Sequence, residues 1–307
     1  MRAKTRAKTR ATWTLLLFFL ATLTLDAQEL SLRFSREVAP GGVITLELIS
    51  PEPLEEVSVA LLDGENTLSS NQGVELSGAE EAQRWVSLLG VSSLVRPGEY
   101  ELRISADQGV ELRRRVRVTE REFGLEEIRL NESASELRRE EDPQKREEAL
   151  EMIALTNRFD EGAQFWFDQF RIPLEYSRRT SLYGNRRRFI YADGGQARAI
   201  HYGLDFAAPT GTPVYAPGAG RVVFAAPRIV TGNSVVVEHF PGVYGLFYHL
   251  DSISVSPGDL LEPGDELGTV GSTGVSTGPH LHWELRVGGV SVDPSSFLDV
   301  PLVDIDE

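Results

Sequence analysis

The sequence has no cysteine among its 307 residues. This absence excludes disulfide bonds, thiolate metal sites, cysteine nucleophiles and attachment to a membrane through an acylated N-terminal cysteine. Basic residues are also scarce, because 31 Lys and Arg stand against 46 Asp and Glu, giving a formal net charge of −15. A chain of this charge repels a phosphate backbone, so we expect no nucleic-acid partner.

Long apolar runs are absent as well. The apolar run at residues 13–25 is shorter than the roughly 20 residues that a membrane-spanning helix needs, and no later segment is apolar enough to cross a membrane. It follows five basic residues and precedes Ala27, which is the layout of a secretory signal peptide. Residues 25–27 (LDA) depart from the usual small-x-small cleavage pattern, so an uncleaved anchor is the alternative. We predict export through residues 1–27, to a periplasm or to the extracellular side of the cell wall.

Residues 28–120 have the pattern of short β-strands. Leu30, Leu32 and Phe34 alternate with polar residues, and turn signals such as Pro40-Gly41 separate runs of this kind. The pattern predicts a small β-sandwich, for which the immunoglobulin fold is one candidate. This segment has no histidine and no metal-like cluster of carboxylates. We therefore interpret it as a spacer or binding module.

The chain changes character after residue 120. In residues 121–168, Asp142 can cap a helix with Pro143 at its first position, and Leu150, Ile153 and Ala154 then fall on one helix face. We predict a short, charged helical connector. Residues 169–300 are rich in Gly, Pro and Val and favour many short strands, and residues 301–307 form an acidic tail.

The five histidines of the chain all lie in its last part. They are His201, His239, His249, His280 and His282. Confinement to one β-rich region, with two histidines in an His-x-His pair, indicates a metal site, because imidazole is the commonest zinc ligand of proteins.

The His-x-His pair lies in a predicted strand, which puts His280, His282 and Glu284 on one face. The two imidazoles then start about 6.6 Å apart. Both can ligate one ion, or one can ligate while the other reaches a water molecule at the metal. Spacing alone does not decide between these arrangements.

His201 and Asp205 form a second element with His-x-x-x-Asp spacing. On a straight strand the pair would be about 13 Å apart, too far to share an ion, so the chain must bend, with Gly203 as the expected pivot. Three protein ligands and one water describe a catalytic zinc, whereas four protein ligands describe a structural one. The sequence has no HExxH motif, which excludes the thermolysin arrangement.

Ordered motifs run through this region: YGNRR at 183–187, HYGLDFAAP at 201–209, GTPVYA at 211–216, GRV at 220–222, GN at 232–233, YHL at 248–250, GD at 258–259, Gly264, GSTGVSTGPHLHWE at 271–284 and DP at 293–294. Over roughly residues 169–298 the chain resembles the M23 peptidases, also called the lysostaphin or LytM type. The resemblance implies a mostly antiparallel β domain with its site in a groove flanked by loops. Tyr183 and Trp283 depart from the usual residues without touching the expected chemistry.

The resemblance also implies a role for each site residue. His201 and Asp205 match the ligands of the family's HxxxD motif, and His282 matches the third ligand, for one Zn²⁺ per chain. His280 and His249 match two histidines beside the water at the metal, which act as base and as transition-state stabiliser. The implied activity is a zinc-dependent endopeptidase that hydrolyses stem or bridge peptides of bacterial peptidoglycan.

Two other hypotheses stay open on the sequence. The chain can be a non-catalytic peptidoglycan-binding protein or an activator of a cell-wall amidase, because the family has members that have lost their ligands. Alternatively, residues 28–168 cover the groove and hold the enzyme latent by intramolecular inhibition.

Three further features have plain structural interpretations. His239 follows a run of valines and is expected at a strand end in a structural role. Glu284 is expected to orient an imidazole or, as the alternative, to act as a base. Arg186, Arg187 and Arg188 are expected either to bind an anionic glycan or peptide carboxylate, or to be solvated or brace the core.

Overall fold

The computed structural model describes residues 21–25, 28–76, 82–166, 168–175 and 177–303. Most of the predicted signal peptide and of the acidic tail lies outside these residues, and both stay predictions. Within the described residues the chain forms 23 strands and two α-helices, and none of these helices is long and apolar enough to span a membrane.

The first eleven strands precede both helices. They are β1 (Ala21–Leu25), β2 (Gln28–Phe34), β3 (Glu37–Val38), β4 (Val43–Ser50), β5 (Val57–Asp63), β6 (Asn66–Gln72), β7 (Val74–Leu76), β8 (Gln83–Gly90), β9 (Gly98–Ala106), β10 (Glu111–Val118) and β11 (Leu125–Arg129). The helices are α1 (Glu132–Arg139) and α2 (Pro143–Thr156). Twelve strands follow: β12 (Arg178–Ser181), β13 (Arg186–Ile190), β14 (Gln196–Ile200), β15 (Gly203–Ala207), β16 (Pro213–Tyr215), β17 (Gly220–Arg228), β18 (Gly232–Phe240), β19 (Val243–Ile253), β20 (Leu260–Leu261), β21 (Glu266–Val270), β22 (His280–Val287) and β23 (Val290–Val292).

The N-terminal part is a sandwich of two five-stranded sheets, with strand orders β1-β2-β4-β8-β7 and β3-β10-β9-β5-β6. Residues of both sheets share one core, for example Leu46 and Trp85 of the first sheet with Leu61 and Leu102 of the second. Burial alternates along β4, as the period-two pattern requires. The predicted β-sandwich is confirmed, and its immunoglobulin-like character stays a prediction.

The connector has the predicted helix. The Asp142 side chain accepts a hydrogen bond from the backbone N–H of Gln144, and Pro143 occupies the first turn of α2. The prediction that Leu150 and Ile153 lie on the buried face of α2 was wrong, because both side chains are about half exposed. The end of the helix buries Met152 and Leu155 instead, against residues of β18 and β19. The position of the neighbouring sheet, which the helix's own periodicity does not encode, selects the buried face.

The connector is not wholly helical, which corrects the sequence-based expectation. Strand β11 pairs in parallel with β13, and β13 pairs in antiparallel fashion with β14. Asn131 then caps α1, whose Ala134 packs beside Leu130 and Phe189. The connector therefore supplies the edge strand and one covering helix of a three-stranded sheet in the C-terminal part.

The C-terminal part is built on a ten-stranded sheet, in which β12, β15, β22, β19, β18, β17 and β20 follow one another and every pairing is antiparallel. This arrangement confirms the mainly β, antiparallel fold class. Its core centres on Trp283 and Phe247 and continues into Val86 and Leu88 of the sandwich. The Tyr183 hydroxyl also donates to the Ser291 carbonyl at 2.7 Å beside this contact. The sandwich thus packs against the C-terminal part through shared apolar core.

Candidate metal centre

Neighbouring strands bring the three predicted metal ligands together. Strands β15 and β22 are antiparallel partners in which Asp205 lies directly opposite His282. His201 lies in the two-residue connection between β14 and β15, so the His201–Asp205 pair does not sit on one straight strand. The expected bend is therefore present.

Gly203 is needed at this bend for close approach. It is not among the glycines with positive φ, so it does not act as a left-handed pivot. A Cβ at this position would lie 2.4 Å from the Trp283 carbonyl oxygen and 2.8 Å from His282 Nε2. Only glycine allows β15 to pack this closely against the histidine-bearing strand.

The donor atoms of the three side chains converge on one point. His201 Nε2 lies 2.9 Å from Asp205 Oδ1, His282 Nδ1 lies 2.8 Å from the same oxygen, and the two nitrogens are 3.0 Å apart. All three residues are buried. These separations are close to the ~3.3 Å between ligands that share a tetrahedral zinc with bonds of about 2.0–2.1 Å.

Backbone acceptors fix the tautomers of three imidazoles around this point. His201 Nδ1 lies 2.9 Å from the Leu182 carbonyl, His249 Nδ1 lies 2.8 Å from the Thr273 carbonyl, and His280 Nδ1 lies 2.8 Å from the Gly278 carbonyl. A carbonyl only accepts, so each Nδ1 carries the proton and each neutral ring has a lone pair on Nε2.

As a consequence, the group of His201, Asp205 and His282 lacks a positive charge that would balance the Asp205 carboxylate. With His201 protonated on Nδ1, its Nε2 lone pair faces an Asp205 carboxylate oxygen. His282, the third predicted ligand, faces the same oxygen with its Nδ1, while its Nε2 lies 4.0 Å from Glu284 Oε2. The His201 Nε2 lone pair and the carboxylate oxygen meet at 2.9 Å in a buried site, where they repel each other unless a cation lies between them. The residues present therefore fit a divalent metal ion with nitrogen and oxygen ligands.

The pKa values of the cluster keep the donors in the states that a metal requires. Burial raises the pKa of the Asp205 carboxyl, but its close contacts with the His201 and His282 rings outweigh burial and hold the pKa well below its usual range. Burial, with the neighbouring rings of His280 and His282, lowers the pKa of His249 to about 3. Burial also lowers the pKa values of His280 and His282. The carboxylate is charged and these imidazoles are neutral at neutral pH.

His249 and His280 stand beside the ligands without joining them. Their ring centroids are 4.7 Å apart, and His280 Nε2 lies 3.9 Å from Asp205 Oδ1. His249 has a φ of 62° and is the only non-glycine residue with positive φ among the described parts of the chain. This strained conformation, worth about 1–3 kcal/mol, is typical of functional sites.

The ligands open into a groove of about 480 Å³. The connector lines this groove through Ile128, Leu130 and Arg138, and Val230 and Val275 of the C-terminal part line it as well. Described residues of the sandwich do not line this groove.

The sequence did not reveal a second layer of side chains behind the ligands. Arg187 donates one bond to Asp205 Oδ2 and one, at 2.9 Å, to Glu126 Oε2 on strand β11. Ser181 donates to Glu126 Oε1 at 2.6 Å and lies 2.9 Å from His201 Nδ1. Of the two interpretations of the arginine run, bracing therefore applies to Arg187. No motif signals Glu126, because its position depends on the pairing of β11 with β13.

Glu284 and His239 have the structural positions expected of them. Glu284 is buried and accepts hydrogen bonds from Arg286 and Ser291, while facing the His282 imidazole. These bonds fit an orienting partner better than a base. His239 is fully buried, donates from Nδ1 to the Ala219 carbonyl at 2.7 Å and does not line the groove.

His239 gives a prediction on stability. Burial lowers its pKa from 6.5 to about 4, so the unfolded state binds a proton more readily than the folded state. The free energy of unfolding should therefore fall as pH drops from about 6.5 to 4, by roughly 3 kcal/mol from this group alone. We expect His239→Gln to flatten this acid limb in urea unfolding curves measured between pH 7 and 4. An unchanged slope in the variant would contradict the assignment.

An antiparallel β domain with two imidazoles and one carboxylate converging in an open groove has the ligand set of a mononuclear metallohydrolase. Residues 199–294 match Peptidase family M23. The likeness to this family therefore lies in the C-terminal part of the chain.

Two curated relatives illustrate the extent of the likeness. The DD-carboxypeptidase/endopeptidase Mpg of Neisseria meningitidis serogroup B is 42% identical over 124 residues, which cover 40% of this chain and 28% of the relative. The peptidoglycan DD-endopeptidase ShyC of Vibrio cholerae is 35% identical over 139 residues, or 45% of this chain and 31% of the relative. The matched segment thus spans less than a third of either relative.

A solved structure matches over more of the chain. The crystal structure of a putative peptidase M23 from Pseudomonas aeruginosa has a TM-score of 0.60 and 26% sequence identity, covering 85% of this chain and 94% of that one. The likeness therefore extends beyond the peptidase domain into the preceding residues.

Proposed function

We propose that this chain is a zinc-dependent endopeptidase that hydrolyses peptide bonds of bacterial peptidoglycan, with His201, Asp205 and His282 as the metal ligands. The observation that carries the proposal is the convergence of two imidazole nitrogens and one carboxylate oxygen within 2.8–3.0 Å of one another. Three protein ligands in an open groove leave a coordination place for water, which describes a catalytic site.

The metal and the protein supply different parts of the chemistry. A zinc ion held by this site supplies Lewis acidity, which polarises a scissile carbonyl and acidifies water. The chain itself must move protons. The neutral rings of His249 and His280 each have a free Nε2, because their Nδ1 protons are donated to backbone carbonyls.

Each of these histidines can therefore accept one proton at Nε2. We assign to one of them the proton of the attacking water. The other takes up a proton at Nε2 from solvent and donates it in a hydrogen bond to the oxygen that gains negative charge. A ring protonated at Nε2 becomes a hydrogen-bond donor there, for that oxygen or for the leaving amine. The lowered pKa of His249 favours its neutral ring, which is the state that can accept a proton.

The names of the relatives favour one substrate bond. They are called DD-endopeptidases or a DD-carboxypeptidase/endopeptidase. We therefore propose that the chain cuts cross-linked stem peptides rather than bridge peptides. Such a substrate lies outside the cytoplasm, in agreement with the predicted export signal.

The two other hypotheses receive less support. A binding protein or amidase activator needs neither the complete ligand set nor the two flanking histidines. For latency through residues 28–168, the described residues of the sandwich give no support, because they do not line the groove. The connector does line it, through Ile128, Leu130 and Arg138, so this hypothesis stays a prediction.

Digestion of purified peptidoglycan by the full chain tests the function. We expect release of soluble muropeptides, loss of this activity with a chelator and recovery with Zn²⁺. Mass spectrometry of the products identifies the bond that is cut. Binding without cleavage by the zinc-loaded protein would favour the non-catalytic alternative.

A further inference from the structure

We propose that the connector completes the metal centre, with Glu126 of strand β11 as a positioning residue for the ligands His201 and Asp205. This residue lies 73 positions before the segment that matches the peptidase family, which begins at residue 199. The inference rests on the proposed metal site and goes beyond it, because it assigns part of the site to the preceding region of the chain.

The first link runs from Glu126 through Arg187 to Asp205. Glu126 and Arg187 occupy the same register on the paired strands β11 and β13. The guanidinium donates from Nε to Glu126 Oε2 and from Nη2 to Asp205 Oδ2. Arg187 is thus held between two carboxylates, and its second bond orients Asp205 with Oδ1 toward the imidazoles.

The second link runs from Glu126 through Ser181 to His201. Ser181 gives its only proton to Glu126 Oε1 at 2.6 Å, so its oxygen can only accept from the ring nitrogen that lies 2.9 Å away. The Leu182 carbonyl imposes the same condition on this nitrogen. His201 must therefore carry its proton on Nδ1 and present the Nε2 lone pair to the metal.

The environment of Glu126 supports a positioning role. Its side chain is only 22% exposed, and Asn185 Nδ2 donates a third bond to it at 2.6 Å. Glu127, the next residue, faces the other way and pairs with Arg188 and Arg129 in solvent. The neighbour provides a matched control with the same charge on the same strand.

The test measures Zn²⁺ affinity of the full chain by competition with a chromophoric chelator, with the unfolding temperature of the metal-free protein recorded for each variant. We expect Glu126→Gln to weaken zinc binding by about 10–100-fold, as losses of a partner behind a metal ligand typically do. Ser181→Ala removes the link to His201 and an acceptor of Arg187, but it keeps the bonds of Arg187 to Glu126 and Asp205. It should weaken binding by a smaller factor, and Glu127→Gln should not change it.

Zinc dissociation constants of Glu126→Gln and Ser181→Ala within twofold of the unsubstituted chain would overturn the proposal. If Glu126→Gln does not fold, the result for Ser181→Ala decides. Absence of zinc binding by the unsubstituted chain would overturn the proposed function itself, so the two failures are distinguishable.

A different observation assigns a carboxylate-binding subsite to the same connector. Four charged residues besides the histidines line the groove: Arg138, Arg187, Asp205 and Glu284. The last three are committed to ion pairs with each other, with Glu126 or with Arg286. Arg138 has no hydrogen-bonded or ion-paired partner among the residues that the structure describes, and its Nε is buried.

Packing holds the Arg138 side chain at the groove. Its guanidinium carbon lies 3.9 Å from the centroid of the Phe189 ring, so the guanidinium is stacked on one face. Because Nε is buried, the two terminal nitrogens are the donors that can face the groove. A planar donor edge with no protein acceptor, at the wall of a peptide groove, fits a carboxylate of the peptide substrate. This assignment rests on the proposed function and names the group that the connector side of the groove selects.

A pair of synthetic cross-linked stem peptides, with carboxyl groups either free or amidated, tests the subsite in the zinc-loaded full chain. A charge-assisted hydrogen bond of this kind corresponds to a roughly tenfold lower KM for the free acid. We expect Arg138→Met, which retains the apolar stem over Phe189, to abolish this preference while kcat is kept. Arg139→Met is the control, because Arg139 pairs with Asp193 instead.

Equal KM values for the two peptides with the unsubstituted chain, or a preference that survives in Arg138→Met, would overturn the subsite. Cleavage of neither peptide would overturn the proposed function as well.

Discussion

Asp205→Asn is expected to lose zinc binding and peptidoglycan hydrolysis together. The substitution keeps the shape of the side chain but removes the only negative charge of the ligand set, which faces both imidazoles. Loss of a partner behind a ligand costs about 10–100-fold in metal affinity, so loss of the charged ligand itself should exceed about 100-fold. Zinc titration by chelator competition and release of soluble muropeptides measure the two effects.

Asp251→Asn is the matched control for this prediction. Asp251 is an exposed residue of strand β19 in the same domain and carries the same charge. We expect its zinc affinity and activity to equal those of the unsubstituted chain. Full lysis of cell walls by the Asp205→Asn protein would contradict the assignment of the metal ligands.

His249→Ala and His280→Ala are expected to separate metal binding from catalysis. Both rings stand beside the ligands with Nε2 available, and neither belongs to the converging group of His201, Asp205 and His282. A positioned acid or base contributes about 10²–10⁴ in rate, so kcat should fall by that factor in each variant. Zinc affinity should change far less than in Asp205→Asn.

Comparing the rates of the His249→Ala and His280→Ala variants with that of the double variant shows whether the two histidines act in the same step. If the two histidines act in one step, the double variant should be little slower than either single variant, because groups that act as a unit are not additive. Loss of zinc in His280→Ala, to the extent expected for a ligand, would show that the choice between His280 and His282 is wrong. Unchanged kcat in both variants would contradict the proposed proton transfer.

The sequence carried most of the information on the ligands, because that information is local. The His-x-His strand and the bend between His201 and Asp205 follow from period-two geometry and reach. Spacing left the choice between His280 and His282 open, and only the family resemblance decided it. In the structure, the register that sets Asp205 opposite His282 places His282 in the converging group.

The surroundings of the ligands were less accessible to prediction, because they depend on contacts between distant segments. Glu126 meets Arg187 only because β11 of the connector pairs with β13. The prediction of the buried face of α2 was wrong for the same reason. Leu150 and Ile153 fit an apolar stripe, but the neighbouring sheet contacts Met152 and Leu155 instead. Neither local propensity nor hydrophobic period encodes which face meets a partner.

Anomalous diffraction at the zinc absorption edge, from crystals of the full chain grown with Zn²⁺, tests the central claim most directly. The account predicts one strong peak per chain at about 2.0–2.1 Å from His201 Nε2, Asp205 Oδ1 and His282 Nδ1. No peak at this point, or three side chains turned apart so that their donor atoms do not converge, would contradict it.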